Sequence, residues 1–235
     1  MAFYGRSSRP LIEEAILQGA VTESQITECD LTGLKAPASS WTKTELRELC
    51  ANDIRFDAAR FDECVLFRSS MVGAVFSKCT FENSSLDGLS LIKSRWNASF
   101  LRASVLKNGT LQRSSFTRVV FSHCTIADIE AVAATVTECV FNNCLFEISY
   151  GCGMNGFSGA TISESIFRGC RFSGYPLRGC TVRNSVFSHC FGEIGDIIEE
   201  NNTVGITTTR TSARKHLVHP DAARALLSKY TEEKR

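Results

Sequence analysis

The chain has no uninterrupted apolar run of about eighteen residues, so no membrane-spanning helix is expected. The opening stretch, residues 1–10, lacks the apolar core of a signal peptide. The protein is therefore expected in the cytoplasm, or exported without a cleaved signal. Only four histidines are present. There is no glycine-rich phosphate loop, no Gly-x-Ser-x-Gly and no clustered set of metal-ligand motifs. No catalytic, cofactor-binding or metal-binding residues are expected, and the chain reads as a non-enzyme. The formal net charge is only +1, which argues against nucleic acid as a partner.

What the sequence does have is an apolar residue at every fifth position from Phe56 to Phe146. The series includes Phe56, Phe61, Leu66, Met71, Phe76, Phe81, Leu86, Leu91, Trp96, Leu101, Leu106, Leu111, Phe116, Phe121, Phe141 and Phe146. One residue is slipped in, and the series resumes at Phe157, Ile162, Phe167, Phe172, Leu177, Val182 and Phe187. A helix repeats at 3.6 residues and a strand at 2, so neither explains a period of five. A short fixed period marks a repeat architecture in which each unit buries its side chain by stacking on its neighbours. Twelve of the sixteen phenylalanines stand at these centres, which makes Phe the core residue of the protein.

Two residues before each centre stands a small residue, such as Ala59, Cys64, Ser69, Ala74 and Cys79. On an extended chain this position shares a face with the centre, so both point inward. The other three positions of each unit are mostly polar. A second period of twenty is superposed. Phe56, Phe76, Trp96, Phe116 and Val136 form one column; Phe61, Phe81, Leu101, Phe121 and Phe141 the next. Leu66 to Phe146 form a third column, and Met71, Leu91, Leu111, Ala131 and Gly151 a fourth. Four units thus make one coil, and about six and a half coils make a rod roughly 30 Å long.

Segments such as Ala59-Arg60-Phe61-Asp62-Glu63 and Cys79-Thr80-Phe81-Glu82-Asn83 resemble pentapeptide repeats. The resemblance covers about 54–190. It implies an all-β fold, a right-handed quadrilateral β-helix. Cys or Ser often replaces the family's usual Ala here, and Phe its usual Leu.

Eight of the eleven cysteines fall on the inward small position, and Cys29, two before Leu31, is in phase to be a ninth. Buried Cys acts as a small hydrophobe, so free thiols are expected. The string Phe-Ser-His-Cys occurs at 121–124 and 187–190. Neighbouring residues on a strand point opposite ways, so His123 and Cys124 should not share a metal.

Four regions depart from the repeat. Residues 1–19 should hold a capping helix, with Pro10 at its start, Glu13 and Glu14 in its first turn and Gly19 past its end. Residues 20–34 read as a rudimentary first coil. Residues 35–50, with Pro37 and a capping-box pattern from Thr42 to Glu45, read as an inserted loop with a short helix. The repeat body is then 51–195, broken by a glycine-rich loop at 150–156. Residues 196–235 read as a strand, a linker and a helix from Pro220. The stripe Ala223, Leu226, Leu227 and Tyr230 would cap the rod or pair with a second copy. A homodimer through this helix is expected, since such a stripe needs cover and family members often dimerise this way.

Charge is banded along the chain. Lys93, Arg95, Arg102, Lys107, Arg113 and Arg118 occur between 88 and 127 without an acid. An acidic stretch from Asp128 to Glu164 follows, then Arg168 to Arg183. The six cations are the candidate partner-binding belt, because complementary charge sets register and orientation between proteins. The resemblance implies two uses. One is a scaffold that binds another protein, as in relatives that look like bacterial secretion-system effectors or accessory proteins. The other is a DNA mimic that binds DNA gyrase or topoisomerase IV and protects it from quinolones. Mimicry needs continuous negative charge, and the belt interrupts it. The scaffold is the favoured expectation.

Overall fold

In a computed structural model, residues 4–6, 8–193, 198–200 and 203–204 are described. They form a four-sided parallel β-solenoid. Three sides are sheets of nine, ten and ten strands, nearly all three residues long. The first face carries the centres Phe56, Phe76, Trp96 and Phe116, paired in register. The second carries Phe61, Phe81, Leu101 and Phe121. The third carries Leu66, Leu86, Leu106 and Ile126. The fourth side is made of turns linked by single bridges such as Ser70↔Ser90. At about 4.8 Å per rung, ten rungs span roughly 43 Å.

All thirteen aromatic centres, from Phe56 to Phe187, are buried at 5% exposure or less. Their rings stack up each face. Phe76 and Trp96 lie 4.0 Å apart between centroids. Phe121, Phe141, Phe167 and Phe187 form a column with spacings of 4.8, 4.6 and 4.6 Å.

The small inward position has a bonding role as well as a steric one. The Ser84 hydroxyl donates to the carbonyls of Glu82 (2.8 Å) and Phe61 (3.4 Å) and accepts from the Cys64 amide at 3.1 Å. It thereby ties its own corner to the coil below. A thiol does the same: Cys64 Sγ–H lies 3.2 Å from the Trp41 carbonyl and 3.4 Å from that of Asp62. Ser and Cys are interchangeable here because both are small donors, which Ala is not. The indole N–H groups of Trp41 and Trp96 reach Ser39 and Ser94 at the same position, at 3.0 and 3.1 Å. Among the described residues no buried side-chain nitrogen or oxygen lacks a partner.

The second residue after a centre turns the corner in the left-handed region. Non-glycine residues there have φ between 41 and 58°. This is strained for an L-residue. It persists because the amide at each corner donates to the next coil, as Ala98 does to the Thr117 carbonyl at 2.9 Å.

Several boundaries differ from the expectation. The helix runs Arg9–Leu17, one residue early, and Glu13 pairs with Arg9 at 2.7 Å rather than sitting in the first turn. Ile12, Ala15 and Ile16 are buried, and the helix packs on Ala20–Thr22 and Lys35–Pro37, the edge strands of two faces. Residues 20–34 supply the second, third and fourth sides of the first coil, and the first-face sheet begins only at Lys35–Pro37. The strands Ala20–Thr22 and Gln25–Thr27 are paired like those above.

Residues 35–50 are not an inserted loop. They are three regular strands, Lys35–Pro37, Ser40–Thr42 and Glu45–Arg47. The capping-box pattern was a coincidence of register: Thr44 is an inward small residue and Glu45 an outward one. Pro37 is tolerated because its strand is the edge of its sheet. The coil therefore begins near residue 20, not 51, and the rod is longer than the sequence reading gave.

The break at 150–156 is an insertion of a different size. Phe146 pairs with Phe172, Phe141 with Phe167 and Val136 with Ile162, each twenty-six residues apart instead of twenty. Gly151 is exposed and is no centre. Phe157 takes the fourth-side position above Ala131, whose amide donates to the Gly156 carbonyl at 2.7 Å. A side chain is needed to fill that column, and Gly151 has none. The expected C-terminal linker and helix lie outside the described residues, apart from strands at Ile198–Glu200 and Thr203–Val204.

Two stability outcomes follow from this geometry. Phe116 stacks on Trp96 at 5.7 Å and is 4% exposed, so Phe116→Ala should cost about 3–5 kcal/mol in a chemical denaturation midpoint. Ala98 is exposed but has φ 47°. Ala98→Val should cost about 1–3 kcal/mol, although most exposed substitutions are near neutral, while Ala98→Asn should not. Equal stability of all three proteins at 98 would contradict the left-handed corner.

Candidate functional surface

The six residues of the basic belt do not form one site. They girdle the rod. Arg102 lies on the second face, Lys107 on the third, and Arg118 at the corner between the first and second. These three meet acids from adjacent coils. Arg102 pairs with Glu82 (3.5 Å), Lys107 with Asp87 (3.4 Å) and Arg118 with Glu138 (2.9 Å). The acids lie twenty residues away, beyond the sequence window that looked purely basic. Such exposed pairs add little stability but cancel local charge.

The other three belong together. Lys93 and Arg113 stack at the corner where the fourth side meets the first face, with φ 58 and 55°. Arg95 follows on the edge of the first face, above Val75 and below Ser115. All three are exposed. Among the described residues no ion pair involves them. The acid nearest along this corner is Asp53, two rungs below Lys93 with Gly73 between. The belt thus reduces to a compact three-cation corner on a rigid backbone.

The N-terminal coils present a different surface. Arg60 bridges to Glu82 at 3.2 Å, and the guanidinium groups of Arg47 and Arg68 stack over the outward Phe67 ring at 5.1 and 4.8 Å. These cations are engaged with their own surface.

An interior void of about 10 Å³, bounded by side chains such as Leu111, Phe116, Val136 and Phe157, is too small for a substrate. A surface pocket of about 390 Å³ opens where the 148–156 excursion meets the next turn, lined by Met154, Asn155, Tyr175 and Arg178 among others. Sequence reasoning placed the loop but not the pocket, because the pocket's far wall, Gly174–Gly179, comes from a later coil. Among the described residues no group of three or more His, Cys, Asp or Glu side chains is placed to hold a metal ion. His123 faces solvent with its ring nitrogens near Ser122 (3.0 Å) and Asn143 (3.4 Å), while Cys124 is buried.

All eleven cysteines are free, nine buried and only Cys50 and Cys152 exposed. The six-residue insertion brings Cys170 directly above Cys144, a neighbour that the one-residue slip had hidden. Cys124, Cys144, Cys170 and Cys190 therefore form a continuous internal ladder, each thiol donating to the carbonyl of the phenylalanine or leucine beneath it. Cys124 is pushed up by its hydrogen bond with Cys144 and by burial; Cys170 by its bonds to Cys144 and Cys190 and by burial. Cys144 is shifted the other way, lowered by its hydrogen bonds with Cys124 and Cys170, and Cys190 is lowered by its hydrogen bond with Cys170.

No protein-family model matches the chain, and no curated protein does. Among solved structures, it is similar to QnrB1, a plasmid-mediated fluoroquinolone resistance protein, at 13% identity. That match covers 98% of this chain and 95% of that one, with TM-score 0.41. It is similar to HetL, a pentapeptide repeat protein involved in heterocyst differentiation regulation in Nostoc, at 15% identity, covering 91% and 100% with TM-score 0.38. An alginate lyase from Paenibacillus matches at 8% identity, covering 87% and 99% with TM-score 0.45. None of these likenesses bears on function, and the fold assignment rests on the strand pairing described above.

Burial raises Cys64 and Cys79 to about 11, and Cys139 and Cys180 to about 12. Thiols of the unfolded chain ionise near about 8.5. Between those values the folded chain holds protons that the unfolded chain has lost, so stability falls as pH rises. The denaturation midpoint should be flat up to about pH 8.5 and drop towards pH 11. Cys64→Ser with Cys79→Ser should shallow that drop, because serine does not titrate. In the same experiment at pH 7.5, a thiol reagent should modify Cys50 and Cys152 rapidly and the nine others only on unfolding. Fast native labelling of Cys124 or Cys170 would contradict their inward placement.

Proposed function

We propose that this chain is a non-enzymatic scaffold that binds another protein through its rigid outer surface, with Lys93, Arg95 and Arg113 as the docking charge. The observation that carries this reading is the unpaired cation corner on a rod whose interior is filled. The rest of the former belt is neutralised by Glu82, Asp87 and Glu138. A backbone locked by ladders on both sides loses little entropy when it binds, and its charges are fixed in spacing. The partner segment that fits is acidic, since an unpaired cation cluster rewards opposite charge and repels its own sign. The proposal includes residence in the cytoplasm at synthesis and a setting such as a bacterial secretion system. A DNA mimic would need negative charge on this corner, so gyrase protection by the purified protein is not expected.

The test compares two charge-reversed proteins in affinity capture from native extract. One carries Lys93→Glu, Arg95→Glu and Arg113→Glu; the other carries Arg102→Glu, Lys107→Glu and Arg118→Glu. The corner variant should lose the specific partner, with association slowed by about tenfold or more and less sensitive to salt. The paired-site variant should keep it. Both should melt close to wild type, because every altered side chain lies outside the core. Retention of the partner by the corner variant, or protection of gyrase at stoichiometric concentration, would overturn the reading.

A further inference from the structure

One residue breaks the corner rule of this coil. Every other non-glycine residue with positive φ among the described residues stands second after a centre. Tyr175, with φ 59°, stands two before the centre Leu177, at an inward position of the fourth side. In the coils below, that position holds Leu49, Ser69, Leu89 and Ile129, all buried. Tyr175 is 51% exposed. Gly174 before it is also left-handed, with φ 72°, and a Cβ there would collide with the Ile148 carbonyl. Two left-handed residues in succession swing the Tyr175 ring out of the coil. A bulky side chain at such a φ is an outlier, and strain of this kind collects at ligand sites.

The everted ring lines the pocket of about 390 Å³ between the 148–156 excursion and the 174–179 turn. Both walls are anchored. Asp128 accepts from the Ser149 amide (2.6 Å) and hydroxyl (2.8 Å), which holds the excursion. Pro176 and Leu177 are buried, and the Pro176 carbonyl accepts from the Phe157 amide at 2.9 Å, which holds the turn. Ile148 and Met154 give the pocket half-buried apolar surface; Asn155, Ser158 and Arg178 give it polar groups. Among the described residues no acid lines the pocket and no ion pair engages Arg178. The amides of Ile148, Ser158 and Arg178 already donate to the carbonyls of Ser173 (2.9 Å), Asn155 (3.1 Å) and Tyr175 (3.0 Å), and that of Gly174 to the Glu193 carboxylate (3.2 Å). These amides offer a peptide no strand edge to pair with, so recognition falls to side chains. The volume lies in the range of small-molecule sites.

We propose that this pocket binds a small carboxylic acid with a flat apolar body. The body lies against the Tyr175 ring, beside the Met154 thioether and Ile148, contacts that favour aromatic groups. The carboxylate meets the Arg178 guanidinium, whose fork matches its two oxygens. Asn155 and Ser158 supply hydrogen bonds at the rim. The site is separate from the cation corner: Gly179 stands three rungs above Arg113 on that corner, roughly 14 Å away. It neither needs nor excludes a protein docked there.

The experiment records methionine-methyl NMR spectra of the full-length protein. Its methionines are Met1, Met71 and Met154; Met71 is buried and reports the core, and Met154 reports the pocket. Benzoate, phenylacetate and indoleacetate are titrated at fixed ionic strength, each beside its neutral amide. At least one acid should shift the Met154 signal saturably and leave Met71 in place, and its amide should bind at least tenfold more weakly. Arg178→Gln should weaken the acid at least tenfold and leave the amide unchanged. Tyr175→Ala should weaken both at least tenfold. Both altered side chains are exposed, and an unchanged Met71 signal shows that the coil is intact in each variant. No saturable Met154 shift with any of the three acids would overturn the proposal. Equal binding of acid and amide would overturn it as well, as would undiminished acid binding by either variant.

Discussion

Everything in this molecule depends on filling one cross-section. A coil of four five-residue sides encloses a limited area, and the centres that a coil carries must fill it together with those of the coils above and below. Most coils hold two large rings and smaller aliphatics: Phe56 with Phe61, Phe76 with Phe81, Phe116 with Phe121. Where Trp96 enlarges the first face, the second face carries Leu101 in place of Phe. Where Val136 shrinks the first face, the third gains Phe146, against which Phe141 packs at 5.3 Å. The aromatic pair thus moves from the first and second faces to the second and third halfway up the rod. Close packing makes that exchange necessary, because neither a void nor an overfilled layer is tolerated in a stack.

The same constraint explains the insertion. Six extra residues between Phe146 and Phe157 do not disturb the pairing on any face, since Phe172, Phe167 and Ile162 still land on Phe146, Phe141 and Val136. The excursion leaves and re-enters at the fourth side, which has single bridges rather than a continuous sheet. A side held by fewer ladder bonds is where extra chain costs least. Gly156 makes the return possible: a Cβ there would collide with the Pro176 carbonyl.

The period of five made the core legible, and every aromatic centre named from it is buried. Three kinds of information were not legible. The first was where the coil starts: Ala36 and Ala51 are centres too small to stand out, and Pro37 looked like a loop residue because an edge strand cannot be recognised locally. The second was the size of the slip, since a shift of one and a shift of six differ only in which column Phe157 joins, and that is decided by packing above Ala131. The third was the pairing of surface charge. Arg118 and Glu138 lie twenty residues apart in sequence yet touch at 2.9 Å. A basic window in the sequence therefore overstated the positive surface twofold, and only the corner of Lys93, Arg95 and Arg113 survives in space.

The corner residues show why surface and core can vary separately in such a coil. A left-handed corner is normally reserved for Gly or Asn, yet Lys, Arg, Glu and His all occupy it here. The ladder bonds of two neighbouring coils hold each corner in place, so the backbone does not depend on the side chain's own preference. The cost is strain of order 1–2 kcal/mol per non-glycine corner, offset by the stacked core beneath. In return, each corner projects its side chain away from the rod at a fixed spacing of about 4.8 Å per coil. Lys93 and Arg113 are two such projections in succession. Their geometry is set by Leu91 and Leu111 stacked inside, not by the cations themselves. The chemistry of that corner can change without altering the coil, which is the property a binding scaffold requires.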